Sequence, residues 1–356
     1  MTAGQASFTL LDGPLLPNDA IEAARAIGVG APGDLVADGA GNLLVADGNA
    51  IVAIGEDGRP GPVPLARFDG RVAALCRLRD GSIGAAVEGR GLYSVPLDGA
   101  PARLVSGADL VVDGVTAIAA AADGSVLAAR GTTRPGIYPY THELFAAAGS
   151  GLIVRAGADG ACTVVAERLR GPHGVAVTPS GDVLVAETWE AAITMIRPSG
   201  GRTPVTTGFA AYPGRITPAA DGGYLLACLS RRDPLVDFVR SEAAFAQRMM
   251  RELDPAHWIA PRLQSHPDVS VPAQASATRV FGKVKPWAAS LSYGLVCEMS
   301  ATLVPRASHH SRTDGRRHGI VSAVEWRGGI AALSLATREI VFLERKIRDD
   351  DRPAAA

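Results

Sequence analysis

Short apolar runs alternate with polar turns along most of the chain, and the turns recur at similar spacing. The repeated unit is a loop containing Gly or Pro, a short apolar strand, a tight turn ending in Gly, and a second apolar strand. The clearest copy reads Gly-Pro-His-Gly at 171–174, then Val175–Val177, the turn Pro179-Ser180-Gly181, Val183–Ala186, Ile193–Ile196 and a closing turn Pro198–Gly201. Runs this short are strands, not central helices. Equivalent turn glycines stand at Gly41 (LVADGAGNLLVAD), Gly81 (LCRLRDGSIGAAV), Gly124 (IAAAADGSVLAAR), Gly181, Gly222 (ITPAADGGYLLAC) and Gly328 (SAVEWRGGIAALS). Six copies predict six blades of an all-β propeller.

The intervals between these glycines are 40, 43, 57, 41 and 106 residues. Four-stranded units of about 40 residues fill most of them, leaving extra chain in the third and fifth. The first insertion, Arg134–Gly149, carries Tyr138, Tyr140, His142 and Glu143 and reads as a rim loop or lid. The second begins at Asp233-Pro234 and spaces Leu235, Val236, Val239, Met249, Met250 and Leu253 as a helix would, before Pro255 and Pro261 end it. The expected organisation is an N-terminal closing strand or cap over 1–30, a propeller over 31–345 with a helical insertion at about 233–263 between blades 5 and 6, and a polar tail at 346–356. Phe8–Leu11 is the candidate closing strand.

Composition narrows the function classes. The chain has 356 residues, 47% of them apolar, with 41 glycines and a net charge of −1. That suits a turn-rich globular protein, and without a basic stripe it gives nucleic acid no footprint. Cys76, Cys162, Cys228 and Cys297 are widely separated and read as reduced thiols. The polar N-terminus and the lack of long apolar stretches favour a cytoplasmic protein for which a membrane partner is not expected.

Several segments resemble the strictosidine synthase-like proteins. APGDLVADGAGNLLVADGNAIVAI is similar to the family's first-blade pattern, and LRGPHGVAVTPSGDVLVAET to its PNGVAxSxDGxxxxVAET signature. YPGRITPAADGGYLLACLSRRDPLVDFV resembles the segment that follows, and SYGLVCEM with HGIVSAVEWRGGIAALSL the closing blade; the likeness runs over roughly 31–345. It implies a six-bladed propeller related to gluconolactonases, paraoxonase-type lactonases, strictosidine synthase and the adipocyte plasma membrane-associated protein. Chemistry differs among these relatives, so a site must be read from its own residues.

Counting eight residues back from each turn glycine gives a column expected to ring one channel mouth: Gly33, Ala73, Thr116, His173, Gly214 and Ile320. Calcium-dependent relatives would place Glu, Asn and Asp there, because a hard cation needs several oxygen ligands. This column has almost none, so no metal and no cofactor are expected. The glutamate of the condensing enzymes would fall at Val321 or Ser322, and Glu325 lies further on beside the turn, where it reads as solvent-facing. His173 is the candidate acid/base, able to titrate near neutrality, against the alternative of a pore-closing histidine. Thr116 would orient a water or substrate oxygen, or cap a backbone group. Asp34, Asp113, Arg215, Tyr138, Tyr140, His142, Glu143 and Ser322 are candidate substrate contacts. Glu187 reads as structural, and His309, His310 and His318 as part of a solvated loop or an anion site. The favoured reading is an ester or lactone hydrolase acting on a small molecule in the channel; metal-free condensation and a non-catalytic binding module are the alternatives.

Overall fold

A computed structural model describes residues 11–55, 58–131, 139–146, 148–264, 279–280 and 283–346, with the backbone alone at 139–140, 279–280 and 283–284. Six four-stranded antiparallel sheets surround a channel, as the glycine spacing predicts. Their inner strands are Pro32–Ala37, Val72–Arg77, Val115–Ala120, Pro172–Val177, Ala211–Pro218 and Ile320–Trp326, numbered here as blades 1 to 6. The six turn glycines connect each inner strand to its neighbour, with φ between 74° and 86°. Only glycine takes that left-handed conformation freely. Aspartates precede several of these glycines and tie the turn: Asp80, Asp123 and Asp221 each accept the backbone N–H two residues on.

Period-two alternation supplies the packing. Leu43 and Val45 face blade 6, whereas Leu44 and Ala46 on the same strand face blade 2. Repeating this around the ring gives each of the six blade interfaces its own buried apolar cluster among the described residues. The sheets are therefore packed against one another by side-chain burial.

The ring closes through Arg25–Gly28, which pairs antiparallel with Glu339–Glu344 in blade 6. The N-terminal region does supply the closing strand, but from a later segment than Phe8–Leu11, of which residues 8–10 lie outside the described residues. A charge cluster ties blade 6 to blade 5. Arg345 bridges Glu298 at 2.7 Å and Asp221 at 2.9 Å, and pairs with Glu325.

The helical insertion also needs correcting. Helices Pro234–Ser241 and Ala243–Glu252 separate the second and third strands of blade 5, not blade 5 from blade 6. Asp233 caps the first helix by accepting from Leu235 N at 2.8 Å. Their buried faces, Val236, Val239, Ala246 and Met249, pack with Trp189, Tyr212 and Trp258 over the end of the ring where the inner strands begin. Helix Pro139–Phe145 from the first insertion joins them through His142, whose ring meets Trp258 edge-on at 4.6 Å.

The three histidines form neither a solvated loop nor an anion site. His309 and His310 lie buried on Pro305–His310, and His318 is buried beside the start of blade 6. Their partners explain it: Glu298 holds His309 at 2.8 Å, Tyr293 and Ser308 hold His310, and Ser292 with the Arg312 carbonyl holds His318. Desolvation pushes the His310 imidazole down to about 3, and that of His318 below its usual value.

A histidine depressed in the fold binds its proton more readily when unfolded, so stability should rise with pH across the window between the two values. The urea midpoint is therefore expected to fall as pH is lowered from about 6.5 towards 4. His310→Gln should flatten that dependence by up to about 1.4 kcal/mol per pH unit. Parallel curves for the two proteins would contradict the assignment.

Candidate functional site

Each inner strand begins with an irregularity at the same level. The register shifts between Pro32 and Asp34, Val72 and Ala74, Val115 and Ala117, Pro172 and Gly174, and Ile320 and Ser322, and more widely between Pro213 and Ile216. A bulge leaves one residue unpaired and re-aims it. The unpaired residues are Gly33, Ala73, Thr116, His173, Val321 and the pair Gly214–Arg215. Ile320 therefore drops out of the column in favour of Val321. The turn in blade 6 is tighter, with Trp326 opposite Gly329, whereas Ala37 stands opposite Leu43 in blade 1.

Five of the expected residues meet in the channel. Asp34 and Arg215 are buried and paired at 3.0 Å, with Arg215 reaching across the ring from blade 5 to blade 1. Arg215 Nη1 also donates to the Thr116 carbonyl of blade 3 at 2.6 Å. Asp34 accepts from Leu75 N of blade 2 at 2.7 Å and from Leu35 N at 2.8 Å, while Ser322 Oγ of blade 6 accepts from Leu35 N at 3.3 Å. Burial pushes the Asp34 carboxyl above its usual value, and Arg215 with these hydrogen bonds pulls it part of the way back.

Thr116 Oγ1 lies 2.5 Å from the Pro172 carbonyl and 3.1 Å from that of Ala129, so its single proton serves the backbone between blades 3 and 4. His173, next in the ring, has Nδ1 2.9 Å from Thr188 Oγ1. The Thr188 hydroxyl gives its proton to the Pro213 carbonyl at 2.6 Å. It must accept from His173, which places the imidazole proton on Nδ1 and leaves Nε2 as a bare lone pair. Gly131 faces that nitrogen; a Cβ there would stand 3.4 Å from Nε2 and 2.6 Å from the Thr116 methyl. Desolvation pushes His173 down to about 4, so the ring is neutral at pH 7.

The remaining candidates lie elsewhere. Asp113 is exposed between blades 2 and 3, where it accepts from Gly89 N. Glu143 is buried beneath the cap and accepts from Ser150 Oγ at 2.7 Å. Tyr138 falls outside the described residues, and Tyr140 is described by its helical backbone alone. Glu187 is bound by Arg202, Thr194 and the Arg170 N–H, in keeping with its structural reading. Glu325 is not simply solvent-facing: it accepts from Ala220 N at 2.6 Å and pairs with Arg345. Sequence reasoning missed Thr188, which orients His173; its place directly after the VAE strand end was the available signal.

These residues do not suit a divalent cation. Among the bulge residues and the ones that follow them, Asp34 is the only carboxylate, and a guanidinium already neutralises it. No group of three or more His, Cys, Asp or Glu side chains converges among the described residues. A calcium ion would find a single carboxylate, already compensated, where it needs six to eight oxygen ligands.

One sequence family matches, the NHL repeat, at residues 169–192, the segment bearing His173 and Thr188. No curated protein matches. Among solved structures, the chain is similar to a gluconolactonase from Xanthomonas campestris at 13% identity and TM-score 0.56, covering 91% of each chain. It is similar to the calcium-binding protein regucalcin from Agrobacterium tumefaciens at 11% identity and TM-score 0.54, covering 92% of this chain and 88% of that one. A virginiamycin B lyase from Staphylococcus aureus aligns at 11% identity and TM-score 0.50, over 90% of this chain and 98% of its own. At such identities the likeness establishes the six-bladed fold.

The buried pair is open to direct measurement. Arg215→Met should leave Asp34 without compensation and cost about 3–5 kcal/mol of unfolding free energy. Combining it with Asp34→Leu should recover most of that loss, because removing both charges is often neutral. Additive losses in urea melts of the three variants would show that the pair is not coupled.

Proposed function

We propose that the protein is a hydrolase of small esters or lactones, with its reacting centre in the half of the channel where the inner strands begin. The observation that carries this reading is the His173 imidazole: neutral, fixed in one tautomer by Thr188, and turning Nε2 towards the Cα of Gly131, where no side chain takes it up. A base held this way takes a proton from water as the oxygen attacks an acyl carbon, and the acyl C–O bond then breaks. The imidazolium returns the proton to the departing alkoxide, so the ring ends as it began. The fold shared with a gluconolactonase and the motifs over 31–345 support placing the chain near the lactonase and strictosidine synthase-like propellers. The four free cysteines fit a cytoplasmic setting.

The same bare Nε2 would serve a metal-free condensation of an amine with an aldehyde, in which a carbon-bound proton is removed and water is lost. Product mass separates the two, since hydrolysis adds water to one substrate. The insertion layer over this end, built on Trp189, Tyr212 and Trp258, supports a third reading, a binding module with a closed face.

Purified protein screened against lactones, aryl esters and amine–aldehyde pairs should release acid from a member of the first two groups. His173→Gln should keep the melting temperature within a few degrees and lower turnover by about 10²–10⁴-fold. The acidic limb of the wild-type pH–rate profile should lie near pH 4, because the imidazole works unprotonated and its proton is held only below about 4. Unchanged turnover in the variant, or a limb near 6.5, would remove His173 from the mechanism.

A further inference from the structure

Two hydrogen-bonded paths join Arg215 to His173. On the first, Arg215 Nη1 donates to the Thr116 carbonyl at 2.6 Å, and Thr116 Oγ1 lies 2.5 Å from the Pro172 carbonyl, part of the peptide group that leads into His173. The second starts at Pro213, two residues before Arg215: its carbonyl takes the Thr188 proton at 2.6 Å, and Thr188 Oγ1 accepts from His173 Nδ1 at 2.9 Å. Between the two paths the strands touch. A Cβ at Gly174 would strike the Gly214 carbonyl oxygen, so this glycine lets the backbone after His173 lie directly against the backbone before Arg215.

That loop of contacts holds one permanent charge, the buried Arg215 guanidinium, compensated by Asp34 at 3.0 Å. We infer that Arg215 is a positioning residue for His173: it fixes the imidazole from both sides, through Thr116 and through the Pro213 carbonyl that anchors Thr188, and its field sets how readily the ring takes a proton. The inference rests on the part given to His173 in hydrolysis. An imidazolium formed near a guanidinium is disfavoured, and this adds to desolvation in keeping the ring neutral. The base is then weaker, and the imidazolium it becomes is a stronger acid towards the departing alkoxide. Thr188, Trp189 and the Gly171 backbone meet the ring and carry no charge. Glu187 and Glu190, which flank Thr188 and Trp189, are engaged by Arg202 and by Arg170 with Arg240. Arg215 and Asp34 are therefore the charges to vary.

The test follows His173 in the full chain by ring ¹⁵N NMR as pH is lowered, with its signals identified by their loss in His173→Gln, and it needs no substrate. In the wild type the ring should stay the neutral Nδ1–H tautomer down to about pH 5. Arg215→Lys keeps the cation and should leave the proton affinity within about twofold. Asp34→Asn combined with Arg215→Gln removes both charges and keeps polar groups of similar shape; it should bind the His173 proton at least about threefold more tightly. Should that protein fail to fold, Asp34→Leu with Arg215→Met supplies the same charge-free centre. With a substrate in hand, the acidic limb of the pH–rate profile should move up by the same factor. Unchanged proton affinity in the charge-free protein, or an equal rise in Arg215→Lys, would overturn the inference. Failure to hydrolyse any ester or lactone, by contrast, counts against the hydrolase reading alone.

Discussion

A circuit of polar contacts around the channel fixes the blades relative to one another in a way that their apolar interfaces alone would not. Burial of hydrophobic surface is strong but non-directional, and each blade could slide a little against its neighbour at small cost. The channel contacts remove that freedom. Asp34 ties blade 1 to blade 2, Arg215 ties blade 5 to blades 1 and 3, Thr116 joins blade 3 to blade 4, and Thr188 joins blade 4 to blade 5. Three of these contacts end on a carbonyl at or beside a bulge, those of Thr116, Pro172 and Pro213, so the irregular strand starts and the polar circuit depend on each other.

The same circuit explains why the site differs from what its fold would lead one to expect. With glycine, alanine and valine at four of the bulges, the inner edge lacks the oxygen donors a hard cation requires. The positive charge at the ring's centre is supplied covalently by Arg215, and its position is set by the protein. Likewise, a histidine that would titrate near neutrality in water is held neutral by its surroundings, with Thr188 choosing the tautomer. On the reading proposed above, chemistry at such a centre rests on proton transfer and placement.

Much of this was legible in the chain itself. Turn glycines are readable because a left-handed turn accepts little else, and the residues eight positions before them fall on the bulges in five blades. The exception is blade 6, where a two-residue turn shortens the count and moves the column from Ile320 to Val321. The closing strand was not legible: Arg25–Gly28 is a half-exposed edge segment with no apolar alternation to mark it. Nor could pattern reveal that the helices interrupt blade 5, because an insertion inside a hairpin and one between blades read alike until the partner strand, Leu295–Met299, is found by pairing. Likewise, His309 and His310 look polar in isolation, and only Glu298 and Tyr293 on neighbouring segments make them interior residues.

Joining Arg25–Gly28 to Glu339–Glu344 in one sheet has a consequence for how the molecule is made. Arg25 leaves the ribosome about 300 residues ahead of its partner Phe342. At typical rates of synthesis the first strand must wait roughly 15–60 s for the hairpin it completes. Throughout that interval the nascent chain is an open arc, with the unpaired edge of blade 1 exposed at one end and a growing edge at the other. Such edges invite pairing with other chains. The ring can close only after Glu339–Glu344 has left the ribosome, so a nascent-chain chaperone or a crowded polysome would bear on the yield of folded protein more than on its final stability.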